Sequence, residues 1–155
     1  MDRYDTLILS ALQEDGRISW TQLAKRVNLS PSACQRRVES LVERGVIDGF
    51  TVNLNDAALG HNVIAFVAVH VDRQSTELAV DFRRRVREHP QVQACYMISG
   101  TNDFMLEVAA TDLESFGRFI DGELLRLPAV KDASSSIVLS VVKPKRTMIA
   151  ETRRG

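Results

Sequence analysis

The sequence has only two cysteines, Cys34 and Cys95, in 155 residues. So few thiols, so far apart, make neither a disulfide framework nor a cysteine-based zinc motif, and a reduced, cytoplasmic setting is expected. Long hydrophobic runs are missing as well. No stretch approaches the ~20 uninterrupted apolar residues of a membrane helix, so no membrane partner is expected. The opening residues, MDRYDTLILSALQEDGR, are acidic early and show no small-residue cleavage site, which argues against a secretory leader. Net charge is also absent: 20 basic residues balance 20 acidic ones. Any nucleic-acid surface must therefore come from local placement of charge, because bulk composition favours none. The three histidines, His61, His70 and His89, have no His, Cys or carboxylate at ligand spacing. No Ser/His/Asp set, phosphate-binding loop or GxGxxG appears. No catalytic residue, metal ligand or cofactor is expected.

What is present describes a soluble globular chain, 45% hydrophobic and 26% charged, of a length suited to one ordinary domain or two small ones. Tyr4, Leu7, Ile8, Ala11 and Leu12 fall on one helical face. EDGR stops that helix, with Gly16 suited to the left-handed residue after it. Ser19 caps a second helix, and Gln22 three residues on completes a capping box. Its expected buried face is Trp20, Leu23, Ala24 and Val27. Ser30 caps a third helix with Pro31 in its first position. Ala33 or Cys34, Val38, Leu41 and Val42 turn inward, and Gly45 ends it.

Three short helices with a tight turn before the last are a helix-turn-helix pattern. Such a unit lays its last helix in the major groove. Ser32, Gln35 and Arg36 point outward there, with Arg37 alongside. Arg forks onto guanine O6 and N7, and Gln onto adenine N6 and N7. The same spacing also suits a small helical bundle that touches no DNA, and pattern alone leaves the two readings level.

Residues 46–62 begin with a β-like run (Val46, Ile47, Phe50, Val52, Leu54) and then lose periodicity among the turn formers Asn53, Asn55, Gly60 and Asn62. Beyond them lie a β-branched strand at 63–71 and a helix bearing Leu78, Phe82 and Val86. Strands at 92–99 and 104–110 follow. A second helix bears Leu113, Phe116, Ile120, Leu124 and Leu127, and a last strand spans 134–143. This β-α-β-β-α-β order is the ferredoxin-like pattern. The strands are apolar at nearly every position, so the sheet face without helices is expected to meet a second copy. Arg83, Arg84, Arg85 and Arg87 read as the solvated side of a helix. Ser99, Gly100, Thr101, Asn102 and Asp103 form a turn between two strands, serving either as plain geometry or as a polar pocket.

In order, DTLILSALQEDGR, TQLAKRVNLSPSACQRRVESLVERGVIDGF, the Leu-Gly pair at 59–60 and SGTNDFMLEV resemble the Lrp/AsnC (leucine-responsive/asparagine-regulator) family of transcription factors. The resemblance runs from about residue 5 to residue 143. It implies an α+β chain with four parts: an N-terminal winged-type helix-turn-helix domain (1–47), a β-linker (48–62), a C-terminal ferredoxin-like βαββαβ domain (63–145) and a basic tail (146–155). Double-stranded DNA is then the partner. Its expected contacts are Thr21, Lys25, Ser30, Ser32, Gln35, Arg36 and Arg37. The resemblance further implies a homodimer assembling to an octamer, with a free amino acid bound between subunits. That effector would meet Ser99, Gly100, Thr101, Asn102 and Asp103 of one chain, facing Ser134, Ser135 and Ser136 on the last strand of a neighbour. Asp103 is expected to take the ammonium and the turn's N–H groups the carboxylate. Two other readings stand beside this one. One is an architectural DNA-binding oligomer with no effector. The other is a haem-pathway decarboxylase-like enzyme, which would need clustered histidines.

Overall fold

The computed structural model describes residues 1–72 and 75–143, so the expected basic tail lies outside the described residues. The chain divides into two compact units, Met1–Asn53 and Leu54–Lys143.

The first unit packs α1 (Arg3–Glu14), α2 (Trp20–Val27) and α3 (Pro31–Glu43) around Ile8, Ala11, Leu23, Ala24, Val27, Cys34, Val38 and Leu41. Each helix start is capped. Asp2 and Asp5 make a reciprocal capping box on α1, and Ser19 and Gln22 make the expected one on α2. Ser30 Oγ accepts the Ala33 N–H at 3.2 Å, with Pro31 opening α3. Gly45, at φ +65°, ends the unit's last helix in the left-handed conformation that glycine tolerates.

Several expected core positions are not core. Tyr4, Leu7, Trp20 and Val42 remain about 40% exposed. The buried stripe of α1 is rotated by one residue, to Asp5, Ile8 and Ala11. Gly16 is not left-handed either: α1 closes through the N–H of Asp15, which bonds to the Ala11 carbonyl. The β-like run after α3 forms no strand among the described residues, and Phe50, Val52 and Leu54 stand exposed. An extended segment becomes a strand only where a neighbour satisfies its backbone, and the described residues offer it none.

The second unit is the β-α-β-β-α-β arrangement. It contains β1 (Val63–Val71), α4 (Thr76–Glu88), β2 (Val92–Met97), β3 (Phe104–Ala110), α5 (Leu113–Phe119) and β4 (Val130–Ile137). The sheet is antiparallel in the order β2-β3-β1-β4. Successive side chains alternate between its faces. Val63, Ala65, Val67, Val69 and Val71 of β1 therefore join Phe104, Leu106, Val108 and Ala110 of β3 in the core, against Phe82, Val86, Phe116 and Phe119 of the helices.

Several boundaries differ from the sequence expectation, and β2 stops at Met97 instead of residue 99. The last strand runs Val130–Ile137, not 134–143. It begins early because Val130 and Ala133 reach the core while Lys131 and Asp132 face water from an edge strand. It stops early because its partner β1 begins at Val63, and the N–H of Val138 takes the carbonyl of Ile64 as the final rung at 2.8 Å. The second long helix keeps α geometry only to Phe119 and continues as a wider π turn, Ile120–Leu124. That wider turn brings Leu124 into line with Phe116 and Phe119, while Leu113 stays 61% exposed.

Asp2 and Asp112 hold their carboxyls below the usual value chiefly through backbone N–H groups of Asp5 and Ser115, and Asp81 does so through Arg84. Each folded pKa lies below its unfolded one. The resulting stabilisation is complete above the unfolded value of ~4 and is lost as pH falls through the lower folded value. Urea midpoints are expected to fall progressively below about pH 4. Asp112→Ala is expected to lower the midpoint at pH 7 and to lessen the further loss on acidification.

Candidate functional site

The helix-turn-helix is built by two local devices. Asn28, at φ 56°, takes the left-handed cap of α2, and the Leu29 N–H returns to the Ala24 carbonyl at 3.0 Å. Ser30 then starts α3. Burial of Cys34, Val38 and Leu41 orients the helix and leaves Ser32, Gln35, Arg36 and Glu39 facing outward. Thr21 and Lys25, one turn apart on α2, are exposed too. Burial pushes the Cys34 thiol up, consistent with a packing role.

The predicted contacts do not all remain available. Arg36 and Lys25 carry charges that no carboxylate among the described residues pairs. Gln35 donates to Glu39 Oε1 at 2.9 Å on the exposed surface. Ser30 Oγ is engaged by the α3 cap and by Ser32 Oγ at 3.2 Å.

Arg37 departs from the expectation most. Its guanidinium turns back to α1, donating to Asp2 Oδ2 and Asp5 Oδ1 at 2.8 Å each, and stacks 5.5 Å from the Tyr4 ring centre. Asp5 is 5% exposed. A buried carboxylate needs a partner, and Arg37 supplies it. Sequence reading missed Asp5. Its signal was an acidic residue at the i−3 position of Ile8 on an apolar stripe.

In the second unit the turn at 99–103 ends β2 and β3. Gly100 has φ +129°, a conformation open to glycine and strained for other residues. The Ile98 N–H donates to the Asp103 carbonyl, and the Asp103 N–H donates to the Val69 carbonyl, each at 2.9 Å. Asp103 itself is 6% exposed. Its Oδ2 accepts the Val71 N–H at 2.9 Å, so the side chain extends the β1 ladder by one rung. His70 Nδ1 lies at the same 2.9 Å from that oxygen, near enough for an ion pair once protonated but out of line for a hydrogen bond. Sequence reading did not connect His70 with Asp103, because α4 and β2 lie between them in sequence. Ser99, Gly100 and Thr101 are exposed, and Asn102 is half-buried.

The serines lie elsewhere in the same chain. Ser134, Ser135 and Ser136 pair with Ala68, Val67 and Phe66 of β1. The β4 strand is two strand spacings, about 10 Å, from β3. Register also separates them, with Ser134 and Ser136 on the sheet face opposite the core and Ser135 on the helix side. The three hydroxyls are thus divided between the two faces of β4. The open face is correspondingly mixed: Ile64, Phe66, Met105 and Tyr96 share it with Glu107, Asp132 and the two serines. The α4 arginines behave as surface residues, with Arg84 and Arg85 held by Asp81 at 2.6 and 2.7 Å. Among the described residues no group of three His, Cys, Asp or Glu side chains could hold a metal, and no helix is long and apolar enough to cross a membrane.

A capped helix-turn-helix on one unit and a ferredoxin-like sheet with a glycine-aspartate turn on the other define a two-part DNA-binding protein with a ligand-binding half. Residues 1–48 match the winged helix-turn-helix DNA-binding family and residues 64–148 the Lrp/AsnC ligand binding domain. The chain is 39% identical to the transcriptional regulator AzlB of Bacillus subtilis (strain 168) over 143 residues, covering 92% of this chain and 91% of that one. It is 35% identical to the leucine-responsive regulatory protein of Escherichia coli (strain K12) over 153 residues, covering 99% and 93%. A crystal structure of a transcriptional regulator from Neisseria meningitidis in complex with L-Met superposes with a TM-score of 0.92 at 34% identity, covering 96% of each chain. The chain belongs to the Lrp/AsnC family of transcriptional regulators.

Arg37→Ala is expected to lower the stability of the helical head by about 1–3 kcal/mol, since it strands the buried Asp5 carboxylate. Arg36→Ala, at an exposed position, is expected to leave thermal melting unchanged within ~0.5 kcal/mol.

Proposed function

We propose that the chain is a sequence-specific transcriptional regulator whose assembly or DNA affinity responds to an amino acid bound between subunits. The observation that carries the DNA half is the outward edge of α3, where Ser32, Gln35 and Arg36 stand exposed on a helix locked by its buried opposite side. Thr21, Lys25 and Ser30 flank it and suit phosphate contacts, which position a protein without reading sequence. Arg37 belongs to the structural support of this surface.

We place the head at 1–47, a linker at 48–62 and the ligand-binding half at 63–145. The exposed run Phe50, Val52 and Leu54 then acts as a linker strand that acquires a partner on dimerisation. The apolar part of the open sheet face, Ile64, Phe66, Tyr96 and Met105, supports association with a second copy, and dimers would assemble to an octamer. Paired heads would read half-sites about one helical turn, ~34–36 Å, apart or at multiples of it. For the effector, support comes from the exposed N–H-bearing turn at Gly100 and from the relative solved with L-Met. Ser134 and Ser136 of a neighbouring chain complete the polar side. An architectural oligomer without effector is the second reading. It is favoured by the use of the Asp103 carboxylate on its own chain's Val71 N–H.

Arg36→Ala is expected to weaken operator binding by about 10–100-fold, the value of one bidentate base contact, while the oligomer elutes unchanged in size-exclusion chromatography. Full operator affinity for this variant in a gel shift would remove α3 from its assigned role. A thermal-shift panel of the twenty amino acids separates the two readings. An effector at about 100 times its Kd adds ~2.7 kcal/mol, and silence from all twenty selects the architectural one.

A further inference from the structure

The helical head carries an open cavity of 430 Å³ where the end of α1, the start of α2 and the C-terminal half of α3 meet. Ile18, Val38 and Val42 line it together with the rings of Trp20 and Phe50. Trp20, Val42 and Phe50 are 41%, 44% and 60% exposed, so a sizeable apolar surface stands open to water. The strand pairing proposed for 50–54 would engage backbone groups and leave the Phe50 ring in this groove.

The charged residues of the lining are Glu39 and Glu43, one turn apart on α3. Like charges at that spacing repel. Glu39 accepts the Gln35 amide at 2.9 Å, and neither carboxylate meets a cation among the described residues. Arg44, just beyond the helix, is turned to Asp5 at 3.9 Å. Ser32, Arg36, Glu39 and Glu43 fall on one stripe of α3, so the rim continues the DNA-facing surface with the wrong sign for phosphate. The groove therefore suits an occupant with an apolar part and adjacent cations.

The chain contains one. Beyond the described residues it reads PKRTMIAETRRG, from 144 to 155, with Lys145 and Arg146 just ahead of the apolar pair Met148 and Ile149. In that segment Lys145, Arg146, Arg153 and Arg154 stand against Glu151 alone. Reach agrees with charge. The N–H of Val138 bonds to the Ile64 carbonyl at 2.8 Å, so the chain leaves the sheet where the linker enters it. The linker from Phe50 to Ile64 is shortened by a turn in which the His61 N–H returns to the Asp56 carbonyl at 2.8 Å. It therefore spans at most about 40 Å, and the residues from Val138 to Ile149 can span as much.

We infer that residues 145–149 dock in this groove of their own chain, with Met148 and Ile149 against Trp20 and Val42, and Lys145 and Arg146 against Glu39 and Glu43. The docked cations remove the repulsion between the rim and the DNA backbone, so the tail raises DNA affinity without touching a base.

Trp20 is the chain's single tryptophan, so its fluorescence reads the groove directly. In the full chain, Met148→Asp combined with Ile149→Asp is expected to red-shift the emission and to raise acrylamide quenching about twofold, with far-UV circular dichroism unchanged. A free peptide of residues 144–155 is expected to reverse both changes with a Kd below ~1 mM, the effective concentration that a short tether supplies. Glu39→Lys with Glu43→Lys is expected to uncover Trp20, and adding Lys145→Glu and Arg146→Glu to cover it again. The Met148→Asp, Ile149→Asp variant is also expected to bind its operator about 2–10-fold more weakly in a gel shift, the effect of two exposed charge contacts. Unchanged emission and quenching in that variant, or no response to the peptide, overturns the docking. Protection of Trp20 that grows with the variant's concentration assigns the groove to a second copy and overturns it equally. Full operator affinity beside an uncovered Trp20 overturns the effect on DNA.

Discussion

The two-sided pairing of β1 is the constraint on which the second unit depends. It alone is hydrogen-bonded to both β3 and β4, and its odd-numbered residues carry the middle of the core. Because side chains alternate along a strand, this single register decides what every neighbouring residue faces. It sends Val67 and Val69 to the helices and Phe66 to the open face. It also splits the three serines of β4 between two faces. Where β1 outruns β3, the carboxylate of Asp103 supplies the missing acceptor for Val71 and draws the glycine turn against the end of the sheet.

A comparable buried charge organises the helical head. Asp5 lies within the apolar stripe of α1, and its ionic partner must come from elsewhere in the chain. Arg37 serves it, with Arg44 Nη1 3.9 Å away on the other oxygen. Adjacent arginines on α3 thereby take different roles: Arg36 faces solvent, and Arg37 fastens α3 to α1. Identity of residue type said nothing about this division, because the two are one position apart and a helix rotates about 100° between them.

Much of the fold was legible in the sequence. Caps at Ser19 and Ser30, Pro31 at a helix start and the order of strands and helices are local signals, and the structure keeps them. The misplaced features have long-range causes. Trp20 and Val42 lie at the margin of a small core that lacks the volume to enclose them. The run at 46–54 has strand composition and, among the described residues, no strand partner. The last strand is displaced toward Val130 because pairing with β1, and not apolar content, defines its limits. Leu113 was assigned inward, but it is the first residue of α5, ahead of the turn that Phe116 and Phe119 bury.

The same separation holds for the sites. The sequence by itself determined the capped helix-turn-helix, the glycine at 100 and the outward presentation of Ser32, Gln35 and Arg36, since these follow from dihedral preference and helical period within a few residues. Only the tertiary structure decided that Arg37 is spent on Asp5 and that Asp103 completes β1 beside His70. Those outcomes join residues up to 33 positions apart. The energy of a buried charge depends on what surrounds it in space, which no local pattern records.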